Sequence, residues 1–170
     1  HAGWAYGGGY CTFNGLVIAA QRVLEYVPSV LIIDGDAHYG DGTDDCLDAL
    51  GGDRIENITR GSQIGRNIQG AWNDEMWEAW ARDLIRASRP GIILYQAGAD
   101  AWEEDPYQCG YLTKDGLYHR DLGVFRAAKK ASVPIAWNLA GGYTEPMQKV
   151  IDIHLQTLRA SDEVFYGSAR

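Results

Sequence analysis

The sequence predicts an α/β fold of three layers, a mostly parallel sheet with helices on both faces. Two observations carry this. Short, strongly apolar runs alternate along the 170 residues with longer segments of helical spacing. Each strong run is also apolar at consecutive positions, as a strand covered on both faces must be, and then stops at a cluster rich in Gly and polar residues. Ligands of open parallel sheets bind beyond the carboxyl ends of the strands, so function is to be sought in those clusters.

Taken in order, residues 1–11 form a Gly/aromatic loop without periodicity. Leu16, Val17, Ala20, Val23 and Leu24 predict a helix over 14–26, with Asn14 as its N-cap and Pro28 beyond its end. Val30 to Asp34 is the first buried strand and Arg54 to Thr59 a weaker one. The polar, Gly-containing residues 60–71 read as loop. Asn73 caps a helix over about 74–87, with Met76, Trp77, Trp80, Leu84 and Ile85 on one face and Pro90 and Gly91 as the break. Gly91 to Gln96 is the second buried strand, Thr113 to Ala131 is mostly helix, Pro134 to Asn138 is the third strong strand, and a last helix covers about 146–160. One domain is expected over 1–170, since neither repeats nor a linker interrupt the pattern.

Composition excludes several classes of function. Fifteen Lys and Arg against 23 Asp and Glu give a net charge of −8, which argues against a general basic surface for nucleic acid. No apolar run reaches the length of a membrane span. Cys11, Cys46 and Cys109 are an odd number without CxxC spacing. Free thiols in a reducing, cytoplasmic compartment are therefore expected, rather than a disulfide framework.

Chemistry concentrates in the clusters. Asp34-Gly35-Asp36-Ala37-His38-Tyr39-Gly40-Asp41-Gly42 follows the first strand. Asp36 and His38, two apart, point the same way in an extended segment and form a natural half of a divalent-metal site. The competing reading is a polar turn capping a following helix. Gln96-Ala97-Gly98-Ala99-Asp100 follows the second strand. Alone, Asp100 reads as an N-cap, and it gains interest as a third ligand from a neighbouring strand. Asn138-Leu139-Ala140-Gly141-Gly142-Tyr143 follows the third, and is either a tight turn with a packed Tyr or a close backbone approach with a hydroxyl beside it. His1 and the Gly7-Gly8-Gly9-Tyr10-Cys11 run carry no assignment from composition.

These clusters, in this order, resemble the zinc-dependent deacetylases: histone deacetylases and acetylpolyamine amidohydrolases. The segments concerned are HAGWAYGGGYCTFNGLVIAA, VLIIDGDAHYGDGTDD, ILYQAGADAWEEDPYQCGYLT and WNLAGGYTEP, nearly the whole chain except about 50–72. The resemblance implies an arginase/deacetylase-like fold and a hydrolase that removes an acetyl or other acyl group from a lysine or polyamine amine. The superfamily's arginase-like branch bridges two metals with an Asp two residues after each of His38 and Asp100. Those positions hold Gly40 and Trp102, so one zinc per chain is the better match.

Carried over position by position, the resemblance makes Asp36, His38 and Asp100 the zinc ligands. Tyr143 becomes the hydroxyl on the substrate carbonyl, His1 the general base and then acid, and Asp41 the carboxylate that orients it. Asp34 matches the partner of a first histidine that would precede His1. Gly9 and Tyr10 line the substrate channel, Tyr10 standing where Phe is usual, and Gly142 belongs to the substrate-binding set. A structural monovalent cation such as K⁺ is implied near Asp34, Asp36 and His38. The sequence departs from the family by starting inside the active-site motif, so an N-terminally truncated domain is expected. Residues 60–71 are shorter than in the better-known members and lack their second aromatic channel motif. The rival expectation is a catalytically incomplete metal-binding fragment, or an oligomeric interaction module with self-association at an uncovered sheet edge.

Overall fold

A computed structural model describes residues 1–59, 72–107 and 109–167. The expected strands form a four-stranded sheet: β1 (Val30–Asp34), β2 (Ile55–Ile58), β3 (Ile92–Gly98) and β4 (Ile135–Ala140), all parallel, in the order β2-β1-β3-β4. Parallel neighbours need crossovers, and helices supply them. In chain order they are α1 (Gly15–Val23), α2 (Asp41–Leu50), α3 (Asp74–Ser88), α4 (Lys114–Ala131) and α5 (Gln148–Tyr166).

Alternate side chains of β1 serve opposite layers. Val30 and Ile32 pack with Ile55 and Leu94 against Leu16, Val23 and Leu24 of the α1 segment and Leu47 of α2. Leu31 and Ile33 pack with Ile93 and Tyr95 against Trp77, Leu117, Phe125 and Val150 from α3, α4 and α5. The three layers and the two-faced burial of β1 are as the sequence predicts. Asn14 and Asn73 cap α1 and α3, accepting from the backbone N–H of Val17 and Met76.

Three details differ from expectation. Met76 is exposed while Ala81 is buried, because the inward stripe of α3 is centred on Trp77 and Ile85. The strand β4 is only partly buried, since among the described residues it pairs with β3 alone, and Ala136 and Asn138 stand exposed on one face. The helix α2 carries only a short apolar stripe in an acidic run, its inward residues being Gly42, Thr43, Cys46 and Leu47. It closes on Gly51 in the left-handed conformation. The loop expected at 60–71 lies outside the described residues. Among the described residues the three cysteines form no disulfide, and no described helix is long and apolar enough to cross a membrane.

The strand order decides where a site can form. From β1 the chain goes to one neighbour, β2, and then crosses to the other side of β1 to make β3. The crevice between the carboxyl ends of β1 and β3 is therefore a topological switch point. Asp34, Gln96 and Asn138 stand in register across β1, β3 and β4 at that end.

Candidate metal centre and catalytic site

The chain beyond β1 turns back on itself at the switch point. Oδ1 of Asp34 accepts from the backbone N–H of Asp36 at 3.1 Å and from Nε2 of Gln96 at 3.1 Å. That turn lifts Asp36 and His38 out of the sheet toward Asp100, which follows β3. Nδ1 of His38 lies 3.1 Å from Oδ1 of Asp36 and 2.9 Å from Oδ2 of Asp100. Nδ1 of His38 thus meets a carboxylate from the end of each of two strands. Asp100 is fixed further by accepting the N–H of Ala37 through Oδ1 at 3.1 Å.

The cluster is acidic and largely withdrawn from solvent. Among the described residues, neither Asp36 nor Asp100 has a Lys or Arg ion-pair partner, although their side chains are 9 % and 0 % exposed. Burial, and then the charge of Asp36, push the Asp100 carboxyl well above the usual carboxylate range. Burial opposes the His38 imidazolium, but the hydrogen bond to Asp36 and the charges of Asp100 and Asp36 outweigh it and raise that pKa. Asp34, buried beside Asp36, is pushed up to about 7. A buried carboxylate pair with an imidazole suits zinc or another divalent metal, whose charge would replace the protons this cluster otherwise favours. The residues present therefore fit the group.

His1 completes the cluster. Its Nδ1 is 2.9 Å from Oδ1 of Asp41, the first residue of α2, and its ring stands edge-on to that of His38 with centroids 5.8 Å apart. A donor atom of His1 also lies within 4.8 Å of ones from Asp36 and His38, so a second set of potential ligands overlaps the first. Engagement of Nδ1 by Asp41 marks His1 as an oriented imidazole, whereas Asp100 adds the second anionic oxygen a divalent cation needs. Asp36, His38 and Asp100 are thus a candidate metal set that shares two members with the group of His1, Asp36 and His38.

Beyond the cluster lies a cleft of ≈ 630 Å³ lined by residues including His1, Gly9, Tyr10, Asp36, Gly141 and Tyr143. Tyr143 follows two glycines in the left-handed half of the map, Gly141 at φ 55° and Gly142 at φ 97°. Burial, and then the charges of Asp100 and Asp36, push its hydroxyl up to about 12, so it stays protonated and able to donate. The structure brings most of the expected residues close together, with one difference at the cleft. Gly141 rather than Gly142 lines the cleft, because the open side of Gly142 faces Val150 and Ala99. Asp34, matched to the partner of a histidine upstream of His1, accepts here from Asp36 and Gln96 and so shapes the turn that carries Asp36.

Sequence reasoning overlooked Asp105 and Tyr107. Asp105 is 3 % exposed and accepts the N–H of Tyr107 at 3.2 Å and of Tyr143 at 2.9 Å. It ties the loop after β3 to the one after β4. Tyr107 packs edge-on against Tyr143 with centroids 4.7 Å apart, and its hydroxyl meets that of Tyr10 at 2.9 Å. The Asp105-Pro106 pair was the available signal, since Asp before Pro opens a turn, but the loop's destination is tertiary.

The pattern of the histone deacetylase domain matches residues 1–50 and 51–158. An uncharacterized protein of Picosynechococcus is 29% identical over 97% of this chain and 60% of its own length. Histone deacetylase 2 of Arabidopsis thaliana is 30% identical over 89% of the chain and 44% of its own length. Acetylpolyamine amidohydrolase of Mycoplana ramosa is 27% identical over 86% and 49%. The chain spans about half the length of the curated relatives it matches.

Proposed function

The chain belongs to the histone deacetylase domain family, and on that premise we propose that it is a zinc-dependent amidohydrolase that releases acetate from an acetylated lysine or polyamine amine. The observation that carries this reading is the convergence of Asp36, His38 and Asp100 beside the His1–Asp41 pair. When bound, the metal supplies Lewis acidity toward the amide carbonyl and lowers the pKa of water. His1, held by Asp41, takes a proton from the attacking water and later delivers it to the departing amine. The Tyr143 hydroxyl donates to the oxygen on which negative charge develops, a contribution whose loss typically costs about 10²–10³ in rate. Tyr10 lines the cleft, and its hydroxyl meets that of Tyr107. The backbone near Asp34, Asp36 and His38 is the proposed seat of a structural monovalent cation such as K⁺.

Elemental analysis combined with a fluorogenic acetyl-lysine assay and an acetylpolyamine assay tests the proposal. One zinc per chain with release of acetate supports it. Two manganese ions per chain would place the protein in the arginase-like branch instead. A second reading, a metal-binding chain without turnover or an oligomeric module, draws support from the exposed face of β4 beside the cleft. It predicts bound zinc with no acetate from either substrate.

A further inference from the structure

The helix α4 places Arg120 beneath the candidate site, 2 % exposed. Such burial makes each donor's partner matter, and Nη2 has none among the described residues. Nε donates to Oδ1 of Asp121 at 2.9 Å. Nη1 donates to two backbone carbonyls, Gly35 and Gly98, each at 2.9 Å. Gly35 directly follows β1 and precedes Asp36; Gly98 ends β3 and lies two residues before Asp100. The ladder between β1 and β3 ends at Asp34↔Gln96, with one further bond from the Gly35 N–H to the Gln96 carbonyl at 2.9 Å. Where backbone pairing stops, one guanidinium nitrogen takes over.

The guanidinium is itself held. Asp121, 1 % exposed, also accepts from the hydroxyls of Tyr95 in β3 and Thr157 in α5. Both hydroxyls fix the carboxylate, and the carboxylate fixes the fork. Gly98 has no side chain to hold the two strand ends apart: a β-carbon there would fall 2.5 Å from Cα of Asp36. The backbone of Asp36 thus rests on Gly98, and Arg120 fastens the same two segments from below.

We propose that Arg120 is a positioning residue that sets the placement of Asp36 relative to Asp100 by bridging the backbone carbonyls of Gly35 and Gly98. It touches neither carboxylate. Its consequence for metal affinity rests on the proposed reading of Asp36, His38 and Asp100 as ligands, whereas its effect on the two segments does not. Lys at this position would keep the charge but lose the planar fork, which makes Arg120→Lys the informative variant. The paired variant Arg120→Met with Asp121→Leu removes both buried charges together and leaves neither unpaired.

Amide hydrogen exchange in the metal-free protein reads the placement directly. Either variant is expected to speed exchange about tenfold or more at Gly35, Ala37 and Ala99, with mid-strand Ile33 and Tyr95 unchanged. Unchanged exchange at the three amides, or equal acceleration across the sheet, overturns the proposal by showing no role or a merely structural one. A Co²⁺ titration followed by visible absorption is the second arm. Weaker binding by about 10- to 100-fold with altered bands is expected in Arg120→Lys. Parental affinity and bands in the variant would overturn the link to the metal. If the parent takes up no Co²⁺, the ligand reading fails, and the exchange result still decides the role of Arg120.

Discussion

Gly9 and His1 are fitted to one another: a β-carbon on Gly9 would lie 2.4 Å from Cδ2 and 2.6 Å from Cβ of His1, and Gly9 itself sits at φ 50°. Side chains are disfavoured there on two independent counts, steric and conformational. Gly9→Ala is therefore expected to push the His1 imidazole away from Asp41 while leaving the metal ligands alone. Deacetylase activity should fall about 10²-fold at unchanged zinc content, the size of effect that mispositioning produces. Loss of zinc in step with activity would show that His1 belongs to the metal set.

The overlap of two potential donor sets is resolved by comparing Asp100→Ala with His1→Ala. Asp100 brings an anionic oxygen 2.9 Å from Nδ1 of His38, and its removal should abolish stoichiometric zinc binding. His1→Ala should keep the zinc and lose turnover. Equilibrium dialysis against zinc separates the cases, and the reverse order of affinities would exchange the roles assigned to these residues.

Tyr143→Phe should lower kcat about 10²–10³-fold without changing zinc affinity. The hydroxyl acts on the substrate oxygen, and the ring packing against Tyr107 is retained by Phe. Steady-state kinetics with metal analysis is the measurement. A rate equal to that of the parent would remove Tyr143 from the mechanism.

His154 in α5 supplies a pH-dependent prediction away from the site. Its Nδ1 is buried without a hydrogen-bond partner among the described residues. Burial lowers its pKa, with Arg120 adding to the effect and Asp121 and the Gly141 backbone opposing it. The unfolded chain titrates this imidazole near ~6.5. Above that pH both states are neutral and the group contributes nothing to the slope. As pH falls below it, the unfolded state binds a proton that the native state resists, so stability declines. His154→Gln should flatten the fall in urea-unfolding stability between about pH 6.5 and 5. Parallel declines in parent and variant would refute the assignment.

The clusters after β1, β3 and β4 were legible because buried parallel strands leave a plain apolar signature and end in residues that no core would accept. Asn14 and Asn73 were legible as caps for a similar reason: the chemistry of a helix start is local. The helix α2 entered only through the competing reading of a polar turn before a helix, since the helical spacing of Cys46, Leu47 and Leu50 is short and lies in an acidic run.

The sequence by itself determined the α/β class, the strands and helices with strong periodicity, and the residue types able to hold a metal and move a proton. Only the tertiary structure decided which of them meet. The order β2-β1-β3-β4 puts Asp100 beside His38, 62 residues earlier in the chain. Asp105 clamps two loops, and Arg120 fastens two strand ends, through backbone groups that carry no mark in the sequence. Periodicity and capping are properties of neighbouring residues. Convergence at a switch point depends on which strands pair, and that is settled by burial summed over both faces of the sheet.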